Sequence, residues 1–392
     1  MHYAMTTHND SFTDFEDKDT ITVEKSSYLW TKSPVVINRK QKLSKGKLNV
    51  IELFCGCGGT TLGFEMAGYQ TVLGIDILEP AISTFVRNHP TATAILGDIR
   101  QISTDTILKQ IPDKIDVVIA GIPCQGFSLN NRKRHDDDER NFLYKELLRI
   151  LSVIKPNAVM VENVSGIRSS SNGEIVQAIE RGIFEACGLK VNHQLLSACE
   201  YGVPQNRKRV VFIGVRDTDG FNFDDIVKTH GPGCPKPFNT VYDAIGDLPI
   251  VESGEYADNY TIIPETEYQK IMRANSKTLL NHTAPTHPQE TIDKIANTRP
   301  GDPMYPRFKQ RIRLKWDELS PTQVSGGIRP QFQFGHPEQA RGLTIRERCR
   351  IQSFPDTFEV MGGVVQARVQ TGNAVPPLLA KAVAIALKKY IE

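Results

Sequence analysis

The chain has 392 residues, 40% hydrophobic and 23% charged, with a formal net charge of +2. That balance fits a globular protein with a sizeable core, one large domain plus a smaller one, and it excludes a disordered chain. No run approaches the roughly 18–20 continuous apolar residues of a membrane span, and the polar stretch Met1 to Thr20 lacks the apolar core of a signal peptide, so a cytoplasmic, nucleoid-associated protein is expected.

Residues 1–45 are rich in Thr, Ser, Asp and Lys without sustained periodicity, and read as an arm with some order around Tyr28, Leu29 and Trp30. From Asn49 the pattern changes. Apolar runs of strand length (Val50 to Phe54, Thr71 to Ile75, Ile115 to Ala120, Ala158 to Val161, Val210 to Val215) alternate with helical stretches, one of which carries Leu143, Leu147, Leu148, Leu151 and Ile154 on one face. Such alternation predicts an α/β fold: a mostly parallel sheet with helices on both faces and ligands beyond the carboxyl ends of the strands. It holds over 46–217. Residues 218–368 are denser in Pro, Gly and His and read as a second domain with its hinge, and 369–392 as an apolar helix returning to the first domain. Between Arg299 and Lys315, six basic residues (Arg299, Arg307, Lys309, Arg311, Arg313, Lys315) face one acid, Asp302. Such a strip suits a phosphate backbone, or is a solvated face. No internal repeats are evident.

Strand ends carry the chemistry. Phe54-Cys55-Gly56-Cys57-Gly58-Gly59 follows the first strand and precedes a helix with Leu62, Met66 and Tyr69 along one side. Its glycines permit a tight turn and close backbone approach to a ligand, though a structural turn explains them too. Their spacing departs from the dinucleotide fingerprint, which disfavours a nicotinamide or flavin enzyme relative to another adenosine-containing cofactor. Asp76 ends the second strand, where a carboxylate can accept from ribose hydroxyls, and Asp98 follows the third, within reach of an adenine amino group; helix capping is the plainer role for either. Seven scattered cysteines indicate reduced thiols, and neither Cys55-Gly56-Cys57 nor any His–Cys cluster has metal-site spacing, so no metal is expected.

Pro123-Cys124-Gln125 ends the run Ile115 to Gly121, and Glu162-Asn163-Val164 ends the next. A cysteine and a carboxylate on adjacent strand ends can attack a flat heterocycle and hydrogen-bond its edge together, although a lone cysteine is more often a small buried hydrophobe. Arg207 and Arg209 stand two apart at the start of a strand, a spacing that turns both to the same side, either toward a pocket, to hold an anion or a carbonyl oxygen beside a thiolate, or along an exposed basic edge.

Taken together, these residues resemble the cytosine-5 DNA methyltransferases of bacterial restriction–modification systems. The ordered blocks are the glycine loop, Gly121-Ile122-Pro123-Cys124-Gln125-Gly126-Phe127-Ser128, Glu162-Asn163-Val164, Gln205-Asn206-Arg207-Lys208-Arg209, Arg350-Ile351-Gln352-Ser353-Phe354-Pro355-Asp356 and Gly372-Asn373-Ala374-Val375-Pro376-Pro377. Cys55 and Cys57 fill variable loop positions, and Asp76 stands where many members carry Glu. The resemblance implies a Rossmann-like, S-adenosylmethionine-dependent methyltransferase fold with a smaller DNA target-recognition domain. It implies that Phe54, Gly56, Gly58, Asp76, Ile77, Asp98, Ile99 and Asn373 line the S-adenosylmethionine pocket, that Cys124 is the nucleophile, and that Glu162, Arg207 and Arg209 hold the cytosine. Ser128, Arg132, Arg134 and Gln205 are expected on DNA, the first three in a polar loop, Phe127 to Asn141, that closes over the duplex. Double-stranded DNA is the expected partner of a monomer, with a cognate restriction endonuclease acting on the same site. Two other readings are an RNA cytosine methyltransferase, which the basic second domain disfavours, and a DNA-binding regulator with a dead site, which the intact Cys124, Glu162 and arginines disfavour.

Overall fold

The structure, a computed structural model, describes residues 22–23, 33–38, 43–122, 143–168, 174–325 and 332–392. In chain order its strands are β1 (Thr22–Val23), β2 (Val35–Asn38), β3 (Asn49–Leu53), β4 (Gln70–Asp76), β5 (Thr93–Leu96), β6 (Val117–Ala120), β7 (Ala158–Val164), β8 (Lys190–Ser197), β9 (Gln205–Asn206), β10 (Lys208–Val215) and β11 (Ser320–Pro321). The helices are α1 (Gly59–Met66), α2 (Glu79–Asn88), α3 (Thr104–Leu108), α4 (Leu143–Ile154), α5 (Glu174–Ile179), α6 (Val241–Ile245), α7 (Glu267–Arg273), α8 (Gln289–Asn297), α9 (Ile345–Ile351), α10 (Val364–Asn373) and α11 (Pro377–Lys388).

One sheet runs β1-β2-β5-β4-β3-β6-β7-β10-β8, with β9 and β11 forming a small parallel pair apart from it. Its centre, β5-β4-β3-β6-β7, is parallel, because each strand is followed by a crossover, whereas β10 is antiparallel to both β7 and β8. Strand order reverses between β3 and β6. At such a switch point the following loops diverge to opposite faces and leave a crevice at the carboxyl ends. Two apolar clusters cover the two faces of the sheet. Leu147 and Leu151 of α4 belong to the first, and α11 brings Leu379, Val383 and Leu387 into the second.

Two local expectations change. Part of the arm is strand: β2 pairs antiparallel with β5 and buries Val35 and Ile37 against Phe85 and Ala94. Helix α1 buries Gly59, Thr60, Thr61, Gly63 and Phe64 rather than a Leu62–Met66 stripe. A Cβ at Gly63 would run into the Pro377 carbonyl and Ala380 of α11, and one at Gly59 into the Val375 carbonyl, so these glycines set how closely the last helix packs. Beyond β10, a separate cluster built on Val241, Ile245, Tyr268, Met272, Leu314, Phe334 and Ile351 forms around α6, α7 and α9. Every residue of α9 is buried. Its arginines find partners within the fold: Arg350 pairs with Asp247 at 3.0 Å and with Asp356 at 2.6 Å, Arg346 donates to the carbonyls of Leu280, Pro355 and Phe358, and Arg348 donates to the Thr371 hydroxyl at 3.0 Å.

Candidate active site

The carboxyl ends of β3, β4, β5, β6 and β7 and the start of β10 converge on a cavity of about 660 Å³. At the end of β3, Phe54 takes a left-handed φ of 58°, a conformation costing a side-chain-bearing residue about 1–2 kcal/mol. The turn persists because its amides are satisfied: Cys55 N donates to the Ile75 carbonyl at 3.0 Å, and Gly56 N donates to Asp76 Oδ2 at 2.8 Å. Gly56 (φ 54°) has open space where a Cβ would stand, whereas Gly58 (φ 88°) packs against His89 and Phe85. The first glycine therefore faces the cavity and the second faces the core.

The β4 and β5 ends form one wall. Asp76 accepts from Gly56 N and, through Oδ1, from Leu78 N at 2.9 Å; burial pushes its carboxyl up from the ordinary range. Beside it Ile77 is 46% exposed, an apolar lip open to a ligand. Asp98 caps a short 3₁₀ turn, accepting from Arg100 N at 3.0 Å, and the Arg100 side chain grips it with Nη2 at 2.5 Å from Oδ2. That guanidinium holds the Asp98 carboxyl below its usual range. Capping and cavity lining thus coexist at Asp98, with Ile99 and Arg100 also on the wall.

The opposite wall comes from β6, β7 and β10. Glu162 lies 2.6 Å from Arg209 Nε, both side chains being almost wholly buried. Beyond this ion pair, among the described residues Glu162 Oε1 has no hydrogen-bond partner and keeps accepting capacity. Asn163 donates to the Ile122 carbonyl at 3.2 Å, tying the end of β7 to the segment that leaves β6. Asn373, exposed at the end of α10, and Ser325 complete this side. A further opening of about 490 Å³ beside it is lined by Asn206, Lys208, Arg209, Thr322, Ser325 and Asn373, among others.

Several expected site residues stand elsewhere. Arg207 is fully buried and does not line this cavity: its guanidinium donates to the carbonyls of Gln323, Gly372 and Ala374, each at 2.9 Å. Burial lowers its pKa to about 9. Spacing by two misled here because the chain is not in register at this point; Arg207 falls between β9 and β10, and its own N–H turns back to the Gln205 carbonyl at 2.9 Å. Gln205, expected on DNA, is also fully buried, accepting from Gln323 N at 3.1 Å and donating to the Ile351 carbonyl at 3.4 Å. The basic strip divides. Arg311 and Arg313 are buried, the latter donating to five carbonyls (Ile295, Ala296, Thr298, His336 and Glu338), and Lys315 pairs with Glu318 at 2.6 Å. Arg299, Arg307 and Lys309 remain exposed. Cys124, Ser128, Arg132 and Arg134, with the loop Phe127 to Asn141, lie outside the described residues.

Sequence reasoning missed Glu52 and Arg100 on the cavity wall. The signal for Glu52 was present: it is a lone charge within the apolar run Val50 to Phe54.

Comparison with known proteins agrees with this geometry. A family model described as C-5 cytosine-specific DNA methylase matches residues 48–389. The Type II methyltransferase M.DdeI of Desulfomicrobium norvegicum is 35% identical over 374 residues, covering 88% of this chain and 89% of that one. M1.HphI of Haemophilus parahaemolyticus, also a Type II methyltransferase, is 35% identical over 355 residues, covering 87% of each. Among solved structures, the fold is shared with the Dnmt2 methyltransferase of S. pombe at a TM-score of 0.59 and 17% identity, covering 88% of this chain and 99% of that one. A match running almost from β3 to the last helix, on a cavity that joins a glycine loop to a Glu–Arg pair, leaves one conclusion: the chain belongs to the C-5 cytosine-specific DNA methylases.

Proposed function

We propose that the protein methylates C5 of a cytosine flipped out of duplex DNA, using S-adenosylmethionine as donor and Cys124 as nucleophile. The observation that carries this reading is the single cavity shared by the glycine loop, Asp76 and Asp98 on one side and the Glu162–Arg209 pair on the other. Adenosine fits the first wall: acceptors for ribose hydroxyls at Asp76 and for an amino group at Asp98, an apolar lip at Ile77, and unfilled space over Gly56. Phe54, Ile99 and Asn373 complete the proposed donor site, while Gly58, expected there from the sequence, faces the core and only shapes the turn. S-adenosylmethionine supplies an electrophilic methyl group on a sulfonium.

The protein's own residues do the rest. C5 of cytosine is a poor nucleophile, so the Cys124 thiolate adds to C6 and turns the ring into an enamine. Glu162 holds a proton at N3, with accepting capacity beyond its ion pair, and Arg209 holds the carboxylate and the O2 edge, offsetting charge that builds on the ring. After C5 is methylated, solvent water takes the C5 proton while the C6–S bond breaks and releases the Cys124 thiolate, which restores aromaticity. A base inside a duplex is out of reach, so it must be extruded at a cost of a few kcal/mol, offset by protein contacts. Residues 218–368 serve as target-recognition domain and hinge, and the exposed Arg299, Arg307 and Lys309 are its candidate phosphate contacts. We further propose that it works as a monomer at the nucleoid, paired with a restriction endonuclease of the same site.

The test is covalent trapping. Duplex DNA containing 5-fluorocytosine in the target sequence, incubated with S-adenosylmethionine, should give a denaturation-resistant complex, absent in Cys124→Ala and slowed in Glu162→Gln. Equal trapping by Cys124→Ala would remove the thiol from the mechanism.

A further inference from the structure

Glu52 is a carboxylate in a strand that is otherwise apolar, and it is only 3% exposed. It sits one residue before the end of β3 and lines the cavity. Gly58, at the N-cap of α1, offers no side chain to the helix, and Glu52 fills that role: Oε2 accepts from Thr61 N at 3.0 Å and from the Thr61 hydroxyl. Both contacts fall on one oxygen, so capping employs only part of the group. The Thr60 hydroxyl adds support for the anion, β4 presents Asp76 and the loop presents Cys55 and Cys57; its neighbours in register, Gly74 and Ile119, are uncharged. Among the described residues no cation acts on it directly, and the cations that these residues bring to the cavity wall, Arg100 and Arg209, are committed to Asp98 and Glu162.

We propose that Glu52 is a specificity-determining residue that favours a positively charged methyl donor over its neutral thioether product, by placing an uncompensated carboxylate at the floor of the donor cavity. This rests on the donor assignment proposed above and deepens it. Donor and product share the adenosine, ammonium and carboxylate groups and differ in the sulfonium charge. A buried anion without a cationic partner distinguishes the two where a neutral pocket would not. Burial raises the Glu52 carboxyl to about 7, so the discrimination changes across neutral pH. Below that value the group is neutral and donor and product bind more evenly. Above it the anion forms and the donor is preferred.

Isothermal titration of S-adenosylmethionine and S-adenosylhomocysteine into the full chain, at about pH 6 and about pH 8, tests this without any substitution. The affinity ratio of donor to product should rise roughly 3- to 10-fold across that interval. In Glu52→Gln, which keeps an accepting oxygen for Thr61, the ratio should stay flat and match the low-pH value. A ratio with the same pH dependence in both proteins overturns the proposal, as does an equal weakening of both ligands in Glu52→Gln, the signature of a merely structural cap. Failure of both ligands to bind the unaltered protein would overturn the donor assignment itself, and the inference with it.

Discussion

Replacing Arg207 by methionine removes a guanidinium that joins three stretches of chain: the start of β10, the segment at Gln323 and the turn Gly372-Asn373-Ala374 that ends α10. A hydrogen bond from a charged group contributes about 1.5–3 kcal/mol, so three give a gross figure of about 5–9 kcal/mol. Part of that is offset, because a guanidinium whose pKa burial has lowered to about 9 is costly to keep dry, and methionine fills much of its volume. The net loss expected is about 3–5 kcal/mol. Urea denaturation followed by circular dichroism should show it, and donor affinity should fall with it, because Asn373 loses its anchor. Arg209→Met should behave in the opposite way, costing about 1–2 kcal/mol in stability while lowering turnover at least about 100-fold, because its partner is Glu162. Wild-type stability in Arg207→Met together with abolished methyl transfer would refute the assignment of Arg207 as a strut.

Other substitutions probe the remaining parts of the site. Gly58→Ala forces a Cβ into His89 and Phe85 at a φ of 88° and should cost about 2–4 kcal/mol with a raised KM for the donor; an unchanged melting temperature would contradict it. Gln205→Ala should lose about 1–3 kcal/mol of stability, yet leave the Kd of the folded protein for duplex DNA at fixed salt unaltered, since its amide is spent on backbone. Glu52 titrates at 4.5 when unfolded and at about 7 when folded. The folded state therefore favours the neutral acid, and stability present below pH 4.5 is lost as pH rises to about 7, by about 3 kcal/mol. Relative to the unaltered protein, Glu52→Gln should gain that amount between pH 4.5 and 7, measured by denaturation at both ends of the range; a pH-independent difference would contradict the burial argument.

The central strands were legible because β3, β6 and β7 are buried on both faces and so read as continuous apolar runs with chemistry at their ends. Glu162 and Asp76 stood out as acids closing such runs. β2 was not legible, since Val35-Val36-Ile37 is short and embedded in a polar arm, and only pairing with β5 makes it a strand. Nor was the buried face of α1, where packing is achieved by glycines that carry no hydrophobic signal. The block from Gln205 to Arg209 shows the sharper limit. Its composition announced a charged, reactive site, but one break in strand register sends Arg207 and Gln205 into the interior and leaves Arg209 at the cavity. Basic residues deceived again between Arg299 and Lys315, where Arg313 holds five carbonyls, a role that no count of charges reveals.

Bisulfite sequencing of plasmid DNA recovered from cells expressing the protein measures methyl transfer, base and context at once. Protection of cytosines at one recurrent duplex sequence, lost in Cys124→Ala and in Glu162→Gln, is the expected result. Fully converted plasmid from cells that contain folded, donor-binding protein, or methylation confined to transfer RNA from the same cells, would contradict it.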